Sequence, residues 1–110
     1  MATAAEFFAI DMRVGTVVHA EPFVGAKKPS IKLMIDFGPE LGTKRSSAQL
    51  TAHYTPDRLV GRQVVAAVNL GSRRIAGFMS EVLVLGAMPT QTEVVLLAID
   101  QPVPNGTRIG

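Results

Sequence analysis

A chain of 110 residues has room for one domain with one modest core. Hydrophobic residues make up 47% of the chain but aromatic residues only 5%, so the apolar mass is mainly aliphatic, a composition that favours strands. The formal net charge of +2 allows contact with nucleic acid without requiring it. The absence of cysteine excludes disulfides and thiolate-based metal or redox sites, and it fits a reducing compartment.

The N-terminal stretch MATAAEFFAIDMRVG does not have the pattern of a secretory signal peptide. It lacks a basic segment, and it carries Glu6 and Asp11 among its apolar residues. No apolar run in the chain reaches the roughly 18 residues that a membrane helix needs. We therefore expect a cytoplasmic protein that does not insert into membranes.

The first predicted element is a short N-terminal helix, because Thr3 and Glu6 have the spacing of a capping box. A pattern of period two then begins and predicts a first strand. This pattern places Val14 and Val18 on one face and Val17 on the other. Gly15 interrupts the strand and indicates a bulge or a sharp bend.

The middle of the chain predicts a loop, two strands and a very short helix. The loop EPFVGAKKPS precedes a strictly alternating second strand, whose residues on one face are Ile31, Leu33, Ile35 and Phe37. GPELGTK is predicted to be a turn, and RSSAQLT a third strand with Ser47, Gln49 and Thr51 on its polar face. Thr55-Pro56-Asp57 is a helix start, and Gly61 ends that helix.

The last third predicts further strands, RQVVAAVNL, SEVLVLGA and EVVLLAID, with a turn carrying Arg73 and Arg74 between the first two. This order predicts an all-β fold, either a sandwich or a five-stranded barrel, and the helix before the fourth strand favours the OB-type barrel. We expect a single domain over 1–110, with a core at about 8–88 and a C-terminal extension over 89–110.

The late strands are apolar on both faces over 64–68, 82–85 and 94–99. A small barrel needs apolar residues on its inner face only, so the outer faces of these strands require a cover. The segment with Phe7 and Phe8, the C-terminal tail or a second copy of the chain could supply it. We expect a homodimer, although strands covered by their own termini would show the same pattern.

Basic residues are predicted to converge on one face of the barrel. Arg73 and Arg74 occupy the turn between the fourth and fifth strands, and Lys27 and Lys28 occupy the loop between the first and second. In an OB barrel these two loops flank the ligand face, onto which Lys32 also projects. Arginine suits phosphate, carboxylate and stacked bases, but basic surface turns also serve solubility alone.

Phe78 lies beside the arginines, where it either contributes to an adaptable pocket or caps the end of the barrel. His19 and His53 have no further ligands at workable spacing, so no metal site is predicted. No serine nucleophile, paired carboxylates or phosphate-binding glycine loop stands out. We therefore expect a protein that is not an enzyme and needs no cofactor.

The stretches DMRVGTVVHAEPF and NLGSRRIAGFMSEVLVL resemble the tRNA-binding domain that occurs alone or appended to some aminoacyl-tRNA synthetases. IKLMIDFG, SSAQLT and DQPVPNGT strengthen the resemblance to one branch of that family, the CsaA-type protein-export chaperones. The resemblance implies an OB fold and a homodimer assembled through the terminal extensions. For the chaperone branch it implies binding of unfolded or pre-secretory polypeptides, with the protein-export machinery as a further partner.

Two departures from the family pattern bear on the ligand. Many tRNA-binding members have Ser-x-Gly-Met where this chain has 80–83, SEVL, and Val-Ser-Gly where it has 46–48, SSA. Loss of the Gly-Met pair and the position of Glu81 near the ligand face weaken a phosphate-binding interpretation, but Asn69, Arg73 and Ser80 remain in place. The two hypotheses are a peptide-binding chaperone and a tRNA-binding module on the same face. The candidate contact residues are Lys32, Ser47, Gln49, Asn69, Arg73, Arg74, Phe78 and Ser80, with Lys27 and Lys28 as a secondary basic loop.

Overall fold

The structure, a computed structural model, describes residues 1–110. The helices are α1 (Ala4–Phe8), α2 (Gly38–Leu41) and α3 (Pro56–Leu59). The strands are β1 (Met12–Pro22), β2 (Ile31–Asp36), β3 (Thr43–Ala48), β4 (Gln63–Ala67), β5 (Arg73–Ile75), β6 (Phe78–Ser80), β7 (Leu83–Val84), β8 (Gly86–Ala87) and β9 (Val95–Leu96). No helix is long and apolar enough to cross a membrane.

Five strands form one antiparallel sheet in the order β3-β2-β1-β4-β7. The sheet curls into a nearly closed barrel, because β3 meets the segment between β6 and β7. β5 and β6 form a separate hairpin, and β8 and β9 form a small ladder. The predicted all-β, OB-like five-stranded barrel is thereby confirmed.

The barrel core is built around β2, as its alternation predicts. Ile31, Leu33, Ile35 and Phe37 are all buried, and they share one apolar cluster with Leu50, Leu59, Val64 and Ala66. The two predicted helix starts, at Thr3 and at Thr55-Pro56, are also confirmed. Thr3 and Glu6 form a reciprocal capping box at α1, and Pro56 begins α3 after Thr55.

The predicted bulge at Gly15 is wrong, because the irregularity lies three residues further along β1. The pairing with β2 shifts between Val17 and His19, so Val18 is an extra residue that stays exposed, whereas Val17 lies in the core cluster. A glycine is required at position 15 for another reason, because the neighbouring core side chains leave no room for a Cβ atom. A Cβ at this position would stand 2.6 Å from a methyl of Ile35 and 2.7 Å from the ring of Phe37.

Three predicted boundaries change in the structure. The expected turn GPELGTK contains α2, and the third strand ends at Ala48, before Gln49 and Thr51. The two arginines are not in a turn but on β5, and the turn of that hairpin is Ala76-Gly77. Both turn residues have positive φ, 46° and 80°, as a tight two-residue hairpin requires.

The late strands that are apolar on both faces differ in how those faces are covered. Both faces of β4 are buried by the chain itself, since Val64, Val65, Ala66 and Ala67 are all nearly inaccessible. In contrast, Leu83, Val95 and Leu97 remain 52%, 39% and 43% exposed. The apolar pattern over 64–67 therefore reflects burial within one chain, and only the later strands present apolar surface outside.

The C-terminal extension lies along the first half of β1. Val14 exchanges main-chain hydrogen bonds with Thr107 and Gly106, and Ile109 donates its N–H to the carbonyl of Met12. Gln63 adds side-chain bonds to the backbone of Val103. Because β2 pairs only with the second half of β1, from Thr16 onward, this tail fills an edge that would otherwise be open.

Side chains largely close the barrel where β3 meets residues 80–82. One main-chain bond crosses this seam, from Glu81 N–H to the Arg45 carbonyl at 2.8 Å. The Glu81 carboxylate accepts from the Arg45 N–H at 3.0 Å, and the Ser46 hydroxyl donates to the Val82 carbonyl at 2.9 Å. The Ser80 hydroxyl accepts from the Ser47 N–H at 3.2 Å. Hydrogen bonds from polar side chains thus replace most of the main-chain bonds of a regular β-ladder at this seam.

Burial acts to raise the pKa of Glu81, but hydrogen bonds from the Arg45 backbone and guanidinium outweigh it, so the pKa lies below its ordinary value of 4.5. A carboxyl whose pKa is lowered by folding stabilises the protein above its ordinary pKa, and this contribution is lost as the pH falls through the lowered value. The seam is therefore held by an ionised carboxylate at neutral pH.

We predict that Glu81→Ala lowers the free energy of unfolding by about 1 kcal/mol at neutral pH, because the Arg45 N–H loses its acceptor. The difference from the wild type should shrink as the pH falls below the ordinary pKa and vanish below the lowered value, where the folded wild-type carboxylate becomes protonated. Urea denaturation at neutral and acidic pH measures both values. Glu21→Ala is the matched control, since Glu21 is more exposed and only pairs with His19 at 3.5 Å. An equal effect of the two substitutions would contradict this account of the seam.

Candidate functional site

The largest concave surface is a groove of about 1050 Å³ beside the seam. Its walls are the β1–β2 loop over 25–30, the end of β3, the segment 70–76 with β5, and residues 82–88. Ser47 and Ser80, which hydrogen-bond across the seam, lie in its lining. The same contacts that close the barrel therefore fix two walls of the groove.

The structure brings six of the ten predicted contact residues into the lining of this groove, and they are Lys27, Lys28, Ser47, Gln49, Arg73 and Ser80. The β1–β2 loop with Lys27 and Lys28 and strand β5 with Arg73, which are far apart in sequence, thus meet at one groove. The other four predicted residues, Lys32, Asn69, Arg74 and Phe78, lie outside its lining.

The groove combines cations with apolar surface. Lys27, Lys28 and Arg73 line it, and none of its lining residues is a carboxylate. Of its 23 lining residues, 11 are hydrophobic. Charge of one sign beside apolar surface suits a ligand that is partly apolar and not strongly cationic.

Arg73 and Arg74 face different surroundings although they are adjacent and both exposed. Arg73 and Ile75 line the groove, whereas Arg74 does not. The cause is the alternation of side chains along β5, which sends successive residues to opposite faces. A ligand in the groove therefore meets one arginine of the pair.

Lys32 and Phe78 belong to a cluster next to the groove. The Lys32 ammonium lies 4.8 Å from the ring centroid of Phe23 and 5.1 Å from that of Phe78, and the two rings pack edge to face at 5.5 Å. The Arg45 guanidinium lies 5.9 Å from the Phe78 ring. These cation–π contacts fasten the β1–β2 loop to the β5–β6 hairpin. They connect the two sides that carry the basic residues.

Asn69 is engaged in a structural contact rather than left free at the groove. Its side-chain oxygen accepts from the Asp11 N–H at 2.8 Å, and its amide nitrogen donates to the Ala9 carbonyl at 2.8 Å. Asn69 thus helps to hold the N-terminal segment, together with Arg108, whose guanidinium donates to the Phe8 carbonyl at 3.2 Å. Ser80 likewise has a structural contact, since its hydroxyl is committed to the seam.

Sequence reasoning missed several residues at and near the groove. Leu70, Leu83 and Met88 line it and are exposed, and Phe23 supports its rim from the β1–β2 loop. The excess of apolar residues in the late strands is the signal that could have found Leu83. Phe23 lies in an irregular loop, where no periodicity marks a side chain as part of a cluster.

Residues 12–108 match the model of the tRNA binding domain family. The chain is 54% identical to the chaperone CsaA of Bacillus anthracis strain Ames, with a TM-score of 0.95, covering 100% of this chain and 99% of that one. It is 44% identical to the CsaA chaperone protein of Picrophilus torridus, with a TM-score of 0.91 and full coverage of both chains.

The chain is also 35% identical, over 100 residues, to the methionine–tRNA ligase of Methanocaldococcus jannaschii. That match covers 91% of this chain but spans only 15% of the ligase. The likeness to the ligase is therefore that of one domain. On its sequence and its whole fold, this chain belongs to the tRNA-binding-domain family, and CsaA chaperones are among its full-length structural neighbours.

Proposed function

We propose that the protein is a polypeptide-binding chaperone that holds unfolded or pre-secretory chains in the groove. The observation that carries this proposal is the groove itself, in which exposed aliphatic side chains lie beside a rim of cations without carboxylates. Full-length similarity to CsaA chaperones supports it. Such a protein acts by binding rather than by catalysis, which fits membership of a binding-domain family.

In this proposal, different residues of the groove recognise different parts of the ligand. Leu70, Leu83 and Met88 contact apolar side chains of the polypeptide, and Ser47 and Gln49 hydrogen-bond its backbone. Arg73, Lys27 and Lys28 attract acidic side chains or a carboxyl terminus. The cluster around Phe78 keeps the two rims in place. Arg74 and Asn69 lie outside this set.

A second candidate function is binding of tRNA, favoured by the family match over residues 12–108. In that case Lys27, Lys28 and Arg73 contact phosphates, and the neighbouring Arg74 and Lys32 add to the positive field. The chain's partner is then an RNA rather than a polypeptide. The two candidates differ most clearly in their dependence on salt.

We further propose that the working form is a cytoplasmic homodimer, with the protein-export machinery as a further partner. α1 supports the dimer, because none of its residues is buried and both Phe7 and Phe8 are about half exposed. Two adjacent phenylalanine rings that stay half exposed forgo part of the roughly 1.5–3 kcal/mol that full burial of each side chain contributes. A second copy of the chain would cover them.

We predict that Leu83→Ser weakens binding of a labelled unfolded polypeptide about tenfold, because the ligand loses apolar contact in the groove. Fluorescence anisotropy measures the dissociation constant. Val18→Ser is the matched control, since Val18 is exposed to a similar degree, 48% against 52%, and lies outside the groove lining. Equal affinities for both variants and the wild type would exclude the groove as the polypeptide site.

We predict that polypeptide binding survives a moderate rise in salt concentration, whereas any tRNA binding falls by roughly 0.7–0.9 log units per log unit of salt for each phosphate neutralised. Titrations of both labelled ligands at two salt concentrations make the comparison. Arg73→Ala and Arg74→Ala form a matched pair, and only the former should weaken polypeptide binding. A steep salt dependence with a polypeptide affinity too low to measure would favour the tRNA-binding function.

We predict that light scattering gives a mass near twice the 11.7 kDa of one chain, and that Phe8→Glu halves it because a charge cannot be buried in an apolar contact. Val24→Glu is the control, since Val24 is an exposed apolar residue of the β1–β2 loop. A wild-type particle of one-chain mass at micromolar concentration would disprove the dimer.

A further inference from the structure

The outer edge of β5 carries main-chain groups that have no partner. β5 pairs with β6 alone. In an antiparallel hairpin with a two-residue turn, the pair beside the turn is hydrogen-bonded and successive pairs alternate. Arg74 is one position from that pair, Ile75 and Phe78, so its N–H and C=O turn away from β6. No main-chain bond from Arg74 to a loop or to the tail replaces them.

The groove lies on one face of this edge. Arg73 and Ile75 line the groove, and Arg74 between them supplies the outward main-chain groups. A strand added to the edge of β5 would place alternate side chains over the groove, directly opposite Arg73 and Ile75. An extended polypeptide would thus fill both the unpaired edge and the groove.

The charge of the groove selects the side chains of that strand. Arg73, Lys27 and Lys28 line it without a carboxylate, so the residue opposite Arg73 should be acidic. The residue opposite Ile75 meets apolar surface, which a β-branched aliphatic side chain covers well. In an antiparallel strand the aliphatic residue precedes the acidic one, and a single residue separates them.

This inference rests on the proposed function: we propose that the polypeptide ligand binds as an added antiparallel strand along β5, in an aliphatic-x-acidic triplet whose middle residue hydrogen-bonds to the main chain of Arg74. Main-chain bonds then provide affinity that is independent of sequence, and the two flanking side chains provide selectivity. Such a mode suits an unfolded chain, because a folded one keeps its own strands paired.

The test uses the acetylated and amidated peptide Ser-Thr-Val-Thr-Glu-Thr-Ser and two singly N-methylated versions. Methylating the threonine between valine and glutamate removes the donor that faces the Arg74 carbonyl, and should weaken binding at least about tenfold. Methylating the glutamate nitrogen is the matched control, because that N–H points away from β5, and should change the affinity less than about twofold. NMR titration of the isotope-labelled wild-type protein measures both affinities.

A charge exchange tests the register. Arg73→Glu should weaken the glutamate peptide about tenfold and strengthen a version with lysine in its place, whereas Arg74→Glu should do neither to the same extent, since Arg74 lies off the groove. The amide of Arg74 should also become protected from hydrogen exchange in the complex. These results together would establish the added strand.

The outcomes separate this inference from the function on which it rests. If the two methylated peptides bind equally well and the Arg74 amide stays unprotected while groove residues still shift, strand addition is wrong and the groove remains a polypeptide site. If no peptide shifts the groove and the labelled unfolded polypeptide also fails to bind, both proposals fail. If labelled tRNA binds the groove and the peptide leaves the Arg74 amide unprotected, strand addition is wrong and the tRNA-binding function is favoured.

Discussion

The architecture depends on how β3 is joined to residues 80–82. A closed barrel usually relies on a ladder of main-chain bonds between its first and last strands, but here one such bond is supplemented by Glu81, Ser46 and Ser80. Side-chain acceptors reach further than carbonyls of a paired strand, so the two segments need not run strictly side by side. This freedom allows the β5–β6 hairpin to branch off immediately before the seam.

The seam and the hairpin together define the groove. Ser47 and Ser80 hold one end of β3 against the base of the hairpin, and Phe23, Lys32 and Phe78 tie the hairpin to the β1–β2 loop. Each wall is thus attached to the barrel by a contact between residues far apart in sequence. A groove held in this way is formed before a ligand arrives, which reduces the ordering cost of binding.

The sequence was informative wherever one physical rule acted alone. The alternation of β2 has a single cause, burial of one face, and all four inward residues were predicted correctly. The capping box of α1 is likewise local. The alternation of β1 holds as far as Val17, but the bulge at Val18 brings Ala20 to the same side as Val17. A bulge is decided by pairing with another strand rather than by the residues themselves.

The residues of the candidate site could likewise be predicted from the sequence only in part. Basic loops could be assigned to a common face once the fold class was predicted, and Lys27, Lys28 and Arg73 do line one groove. The separate surroundings of Arg73 and Arg74 could not be predicted, because a turn and a three-residue strand have the same composition. Asn69 shows the remaining difficulty, since an amide beside a basic loop can serve a ligand or its own chain, and only distances reveal which.

The C-terminal extension has a further consequence for the handling of this protein. It occupies the open edge of β1 through residues that follow an exposed stretch around 100–102. A protease that cuts this stretch leaves a short segment held only by noncovalent contacts, and once it dissociates the uncovered edge becomes a template for intermolecular β-pairing. Loss of these eight to ten terminal residues would therefore make the protein prone to aggregation, although every residue of the barrel remained intact.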